Sequence, residues 1–318
     1  MIIEAPKERP PVITLLGEPG MGKTLLACMF PDAIIIRLED GIQSVPVEKR
    51  PAIMPIVTTV DMLEEQIRWV VMNRKAHGKK TLIIDSITRA ETMFEKHIVE
   101  TDGNNPASIN QACGGFGAGP KALGALHAKF RGLLKAANDR GFTVIIIAHA
   151  STETVEPPDG ENYSRYTMRL GKHSIAPWSD DVDMIGFLCL QKFVRGAKDE
   201  TKMGKAKAGK ALSDGTRLLV VHAVAGNISK NRFGIEEPIE LPPVAAWDNP
   251  LLKLIPYYSG NIGPLVSVQE QAKPEPEVKT ATKPQSEDQG FDATEAQDDD
   301  DSPDAPTAEE VAYQEPEL

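Results

Sequence analysis

The residues whose spacing carries the most chemistry are Gly17, Glu18, Pro19, Gly20, Met21, Gly22, Lys23 and Thr24, which read GEPGMGKT and satisfy G-x-x-x-x-G-K-[ST]. Glycines at these intervals let successive backbone N–H groups turn inward around phosphate oxygens. Lys23 brings a positive charge to the β- and γ-phosphates, and the Thr24 hydroxyl is a ligand for Mg²⁺. Such a site needs a carboxylate behind the metal ion. TLIIDS supplies Asp85 at the end of an apolar run, with Ser86 beside it to hydrogen-bond within the site. Hydrolysis needs one more group, to orient or deprotonate the attacking water. Glu39 and Asp40 close the apolar segment IIIRL and are both placed for it; the alternative for either is a solvated loop acid. ATP and Mg²⁺ are the ligands these residues imply.

The elements that must position these groups follow an alternating pattern. Residues 12–16 form a short apolar run ending in the glycine-rich turn, and residues 24–30 look helical until Pro31. Residues 34–38 are the next strand. Residues 61–76 set Met62, Ile67, Trp69, Val70 and Val71 at helical spacing, with Asp61 as an N-cap and Gly78 past the end. A third strand covers 81–84 and a helix 88–99, followed by the glycine- and asparagine-rich stretch DGNNPASINQACGGFGAGP. Pro120 opens a helix running to Arg140 and closed by Gly141. The all-apolar strand 144–148 leads into a polar loop, 151–173, and apolar runs return at 184–190 and 217–224. Strands alternating with helices predict an α/β fold with a mostly parallel central sheet flanked by helices, whose strands deliver their C-terminal ends to one edge.

Charge divides the chain in two. Of the 46 acids and 35 bases among 318 residues, 16 acids and 3 lysines fall at 268–318, leaving 30 acids and 32 bases in residues 1–267. The predicted domain is therefore 1–267, and 268–318 is predicted to be a disordered, acidic, proline-rich tail. Residues 192–210 form a basic insert with seven Lys/Arg opposed only by Asp199 and Glu200. No apolar run reaches membrane-helix length, and the opening MIIEAPKERPPVITLL lacks the form of a secretion signal, so no membrane partner and a cytoplasmic location are expected. Cys28, Cys113 and Cys189, odd in number and far apart, argue against a disulfide framework or zinc site and are read as buried or inert thiols.

GEPGMGKT, a strand leading to Glu39, TLIIDS, a glycine-rich loop, a long helix and VIIIAHA together resemble the RecA-like ATPase core over about residues 10–245. With the compact size, the ED-G ending of the second strand, the histidine of IIIAHA and SKNRFG, the chain is most similar to small phage-encoded RecA-like nucleotide-binding proteins of single-strand annealing and recombination. The resemblance implies that His149 senses the γ-phosphate, where that class often has glutamine. It also implies that Lys230 and Arg232 of SKNRFG reach a neighbouring subunit's nucleotide, making hydrolysis depend on a ring or filament of identical chains. The plain alternative for SKNRFG is a solvated basic turn.

The same resemblance places single-stranded DNA at residues 102–119 and 151–173. The second segment interleaves Tyr163, Arg165, Tyr166, Arg169 and Lys172, a mixture suited to stacking bases and following phosphates, and the basic insert would add to it. Arg165, Tyr166, Arg169 and Lys172 are the candidate contacts. The tail would act as a DNA mimic, as a dock for a replication or recombination protein, or as a solubilising segment. The expected function is ATP binding and Mg²⁺-dependent hydrolysis on single-stranded DNA in phage recombination or annealing. Two alternatives stand beside it: a nucleotide-gated scaffold or switch with little turnover and no DNA, and a helicase or helicase loader.

Overall fold

Apolar runs of strand length build the centre of the molecule because both of their faces are buried. The computed structural model describes residues 8–158, 160–191, 193–194, 211–212, 215–243 and 248–260. From the N-terminal side come β1 (Val12–Gly17), α1 (Lys23–Cys28), β2 (Ala33–Arg37), the short β3 (Ala52–Ile53), α2 (Val60–Met72), α3 (Arg74–His77), β4 (Thr81–Asp85) and α4 (Ile87–Thr101). The chain continues through α5 (Ala118–Asp139), β5 (Thr143–Val155), β6 (Tyr163–Met168), α6 (Ala176–Ser179) and β7 (Met184–Leu190). It ends with β8 (Phe193–Val194), β9 (Ala211–Leu212), β10 (Arg217–Val220), β11 (Lys230–Asn231), β12 (Ile239–Leu241), α7 (Leu251–Leu254) and α8 (Pro256–Ser259).

The main sheet has the order β12-β10-β7-β1-β5-β4-β2-β3. β7, β1, β5, β4, β2 and β3 are parallel, whereas β10 and β12 add an antiparallel margin. The fold is thus the expected α/β arrangement. Side-chain alternation splits the core along the strands. Val144, Ile146 and Ala148 join one cluster with Leu63 and Ile67 of α2, Phe94 of α4 and Phe130 and Leu134 of α5. Ile145 and Ile147 join the other with Leu25 and Leu26 of α1, Leu251 and Ile255. Strands covered on both faces read as unbroken apolar runs, which is why the parallel strands were legible from sequence.

Several expectations needed correction. Thr59, not Asp61, caps α2, its hydroxyl accepting from the Met62 N–H at 3.2 Å; Asp61 lies in the first turn. Residues 151–173 are not one loop: β5 runs on to Val155 and turns back as β6, with Ala150 opposite Met168 and Val155 opposite Tyr163. Alternation of polar and β-forming residues over STETV and YSRYTM supports such a hairpin, and their polarity hid it. The last strand of the 217–224 run is only Arg217–Val220. Cys113 is exposed, although Cys28 is buried and its thiol pushed up to about 12 by that burial; no disulfide joins the cysteines. The packed body extends past residue 245: Ile255 is fully buried, and Tyr258 packs on Phe30 and shares a hydrogen bond with Thr143. Most of the basic insert and all of 268–318 lie outside the described residues. Among the described residues no helix is long and apolar enough to cross a membrane.

Candidate nucleotide site

Parallel register brings the candidate residues to one edge. Gly17 ends β1 opposite His149 of β5, and Asp85 ends β4 opposite Arg37, two residues before Glu39. The turn from β1 into α1 uses Gly20 and Gly22 at φ 81° and 90°, values a side chain would resist. Lys23 then folds back over the turn, its ammonium donating to the carbonyls of Gly17 and Glu18, both at 2.8 Å. It is 5% exposed, and burial lowers its pKa to about 8 against the pull of Asp85 and Glu39.

Thr24 donates to Asp85 Oδ2 at 2.8 Å. Asp85 is 3% exposed and its carboxyl is pushed up to about 6, chiefly by burial. The pair fits Mg²⁺: a hydroxyl that can turn its lone pair outward and a carboxylate behind it, beside space left for phosphate and water ligands. A Cβ added to Gly41 would stand 3.8 Å from Thr24 Oγ1 and 3.7 Å from Asp85 Oδ2, so that flank is lined without being filled.

The alternatives for the catalytic acid differ in their partners. Asp40 also lines the cleft but is paired with Arg37 at 3.0 Å and more than half exposed. Glu39 faces His149, Oε1 to Nε2 at 3.2 Å, and the imidazole contact holds its carboxyl below the usual range, with Ser86 adding a further hydrogen bond. The other imidazole nitrogen, Nδ1, lies 3.5 Å from the Lys23 ammonium. One neutral tautomer satisfies both neighbours, with Nε2–H donating to Glu39 and the bare Nδ1 facing Lys23. The Thr88 hydroxyl accepts from the His149 backbone N–H at 2.9 Å and fixes that strand end to α4. The Lys23–His149–Glu39 chain and the Thr24–Asp85 pair therefore line one cleft of about 560 Å³.

Not every candidate comes here. Arg165 is paired with Glu153 at 2.6 Å, and Tyr166 stacks on Phe187 with centroids 4.8 Å apart; both are half-buried. Arg169 instead points toward the nucleotide side, lining a second cleft of about 550 Å³ with Glu39 and His149, and its charge lowers the pKa of Lys23. Lys172 is exposed. Lys230 and Arg232 stand at the opposite edge of the sheet. Lys230 pairs with Ile185 near the start of β7, whereas Gly17 pairs with Leu188 near its end. The Lys230 ammonium donates to the carbonyls of Ser179 and Asp180, and Arg232 is paired with Asp183 at 3.2 Å.

One residue of the cleft escaped the sequence reading altogether. Arg217 opens β10, opposite Leu190 at the C-terminal end of β7, and lines the cleft beside Gly22 and Lys23. A lone arginine at a strand start carries no motif. Its position follows only from β10 being antiparallel, which brings the first residue of that strand to the edge where parallel strands end.

Fold and site together define a P-loop nucleotide-binding protein. Residues 9–233 match the family AAA_24, described as an AAA domain, and the chain belongs to that family. Family and site make it a P-loop ATPase by class. No curated protein matches the chain at a significant level. Among solved structures it is similar to a KaiC-like protein from the hyperthermophilic archaeon Pyrococcus horikoshii, with 14% identity, 74% of this chain and 90% of that chain covered, and a TM-score of 0.37.

Proposed function

We propose that the protein hydrolyses ATP, with Glu39 as the group that orients and deprotonates water and His149 as the link between that carboxylate and the γ-phosphate. The observation that carries this is the Lys23–His149–Glu39 chain beside the Thr24–Asp85 pair. Lys23 exchanges the carbonyls of Gly17 and Glu18 for phosphate oxygens when nucleotide binds. Its ammonium then no longer faces Nδ1 in the same way, and the imidazole, still donating to Glu39, passes the change to the carboxylate. Glu39 is held ionised by its hydrogen bonds, so it can accept a proton from water at neutral pH. Mg²⁺, held by Thr24 with Asp85 behind it, would neutralise charge on the phosphate oxygens.

Single-stranded DNA in recombination or annealing is the proposed setting. Two segments are suited to it: the hairpin, which continues β5 directly beyond His149, and the glycine-rich loop after α4, which carries Phe116 fully exposed. Arg169 and Lys172 are the exposed cations of the first segment. Lys230 and Arg232 lie across the sheet from their own cleft, so in this proposal they reach the nucleotide of a neighbouring copy in a homo-oligomer. The tail, with 16 acids against 3 lysines, is a competitor for the same cations or a dock for a replication or recombination protein.

ATP hydrolysis by the full chain, with and without single-stranded DNA, tests this. Stimulation by DNA is expected, with Arg232→Ala losing the stimulated rate while keeping ATP affinity. Turnover with no response to DNA would favour a switch or scaffold, and directional strand separation a helicase. Ending the chain after Ser267 should tighten DNA binding most at low salt; equal binding across a salt titration would remove the competitor role.

A further inference from the structure

We infer that Arg217 is a second phosphate-binding cation of the nucleotide site, contributed in cis from the antiparallel strand β10; this rests on the P-loop reading above. The strand places it at the right edge, since Arg217 pairs with Leu190 two residues beyond Leu188, the partner of Gly17. The side chain reaches back over the phosphate loop. A Cβ on Gly22 would lie 2.5 Å from Arg217 Nη1, so the guanidinium occupies the space beside the loop that any larger residue at position 22 would need. Nη2 donates to the Pro242 carbonyl at 2.8 Å, which fixes the fork with Nη1 turned toward the loop.

The charge inventory of the cleft points to the ligand. The carboxylates on its far side already have partners, Asp85 with Thr24 and Glu39 with His149. Arg217 forms no ion pair among the described residues, and a guanidinium does not give up its proton. A guanidinium with no counter-ion among the described residues, set against a loop whose ligand is a polyphosphate, is completed by phosphate oxygens, which match its planar fork. Lys23 and Arg217 then hold the phosphate chain from two sides. The occupant is a nucleoside di- or triphosphate, and Arg217 reads its phosphates, leaving base selection to other residues.

Isothermal titration of ATP, ADP and GTP into the full-length wild type and Arg217→Gln tests the assignment. Glutamine can still donate to the Pro242 carbonyl but carries no charge. Binding of ATP and of ADP should weaken about tenfold, the scale of one charge-assisted hydrogen bond, with the ATP-to-GTP ratio unchanged. Arg217→Lys keeps the charge and loses the fork, and should bind ATP at least about threefold more weakly even if the glutamine variant fails to fold. Wild-type affinity in a folded Arg217→Gln protein would overturn the inference and leave Arg217 as a clasp on Pro242. A changed ATP-to-GTP ratio would overturn it in favour of a base contact. A wild type that binds no nucleotide would sink the P-loop reading itself and the inference with it.

Discussion

The two edges of the sheet hold their charges in opposite ways. At the C-terminal edge, Lys23 and Asp85 are buried and pushed toward neutrality, Lys23 down to about 8 and Asp85 up to about 6. At the N-terminal edge, Asp183 is 9% exposed but fully engaged: it accepts the Val12 N–H at 2.9 Å and pairs with Arg9 at 2.7 Å and Arg232 at 3.2 Å. The first edge holds its desolvated charges on neutral partners, Lys23 on two carbonyls and Asp85 on the Thr24 hydroxyl, and a charged ligand completes them. The second pairs charge with charge within the single chain, so its arginines are half exposed yet anchored there. Burial alone therefore does not mark a ligand site; incomplete compensation does.

The largest effect that tests this contrast is expected from Lys23→Ala. It should weaken Mg²⁺–ATP binding by more than about a hundredfold, because the charge-assisted bonds to phosphate disappear from a dry site, with little loss of thermal stability. Equilibrium binding and a melting curve measure both. Asp183→Ala should do the reverse, lowering stability by about 3 kcal/mol as Val12 N–H and two guanidinium groups lose their acceptor, while ATP affinity stays within about threefold. Comparable losses of stability in both variants would erase the distinction between the edges.

Between the edges, the core holds a titratable group with no ligand role. His127 is fully buried, accepts from Trp178 Nε1–H at 2.9 Å, packs edge-on to Phe94, and is pushed down to about 4 by burial. Its folded pKa lies below the unfolded value, so the stability it allows is complete above about pH 6.5 and is lost as pH falls through 6.5 toward 4. The slope should approach roughly 1.4 kcal/mol per pH unit in that window. Asp85 acts in the opposite sense, its raised pKa costing stability as pH rises from about 4 to 6, so the comparison of wild type with His127→Gln isolates the histidine. Urea unfolding at pH 7 and 5 should show a smaller acid loss in the variant; equal losses would remove the assignment. Arg232→Ala is the mildest change, at most about 1 kcal/mol of monomer stability, because the side chain is half exposed and Asp183 keeps Arg9.

How much of this was legible in the sequence depended on how local each feature was. The phosphate loop, Asp85 and the parallel strands are written in short, continuous patterns, and they fold as written. Glu39 against Asp40 was not decidable, because adjacent residues differ only in which way each side chain turns, and that is set by His149 and Arg37 from distant segments. Arg165 and Tyr166 looked free because interleaved cations and aromatics read alike in a loop and in a hairpin; Glu153 and Phe187, their partners, come from β5 and β7. Arg217 left no trace, since its place depends on an antiparallel return after residues 192–210.

Glu39, the proposed base, is expected to serve turnover and not binding. Single-turnover hydrolysis and equilibrium binding of Mg²⁺–ATP, measured side by side for the wild type and Glu39→Gln, address it most directly. Glutamine keeps the shape and a hydrogen bond to His149 but cannot take a proton, so ATP affinity should stay within about threefold while the hydrolysis rate falls at least about a hundredfold. A Glu39→Gln protein that hydrolyses ATP at the wild-type rate would contradict the account.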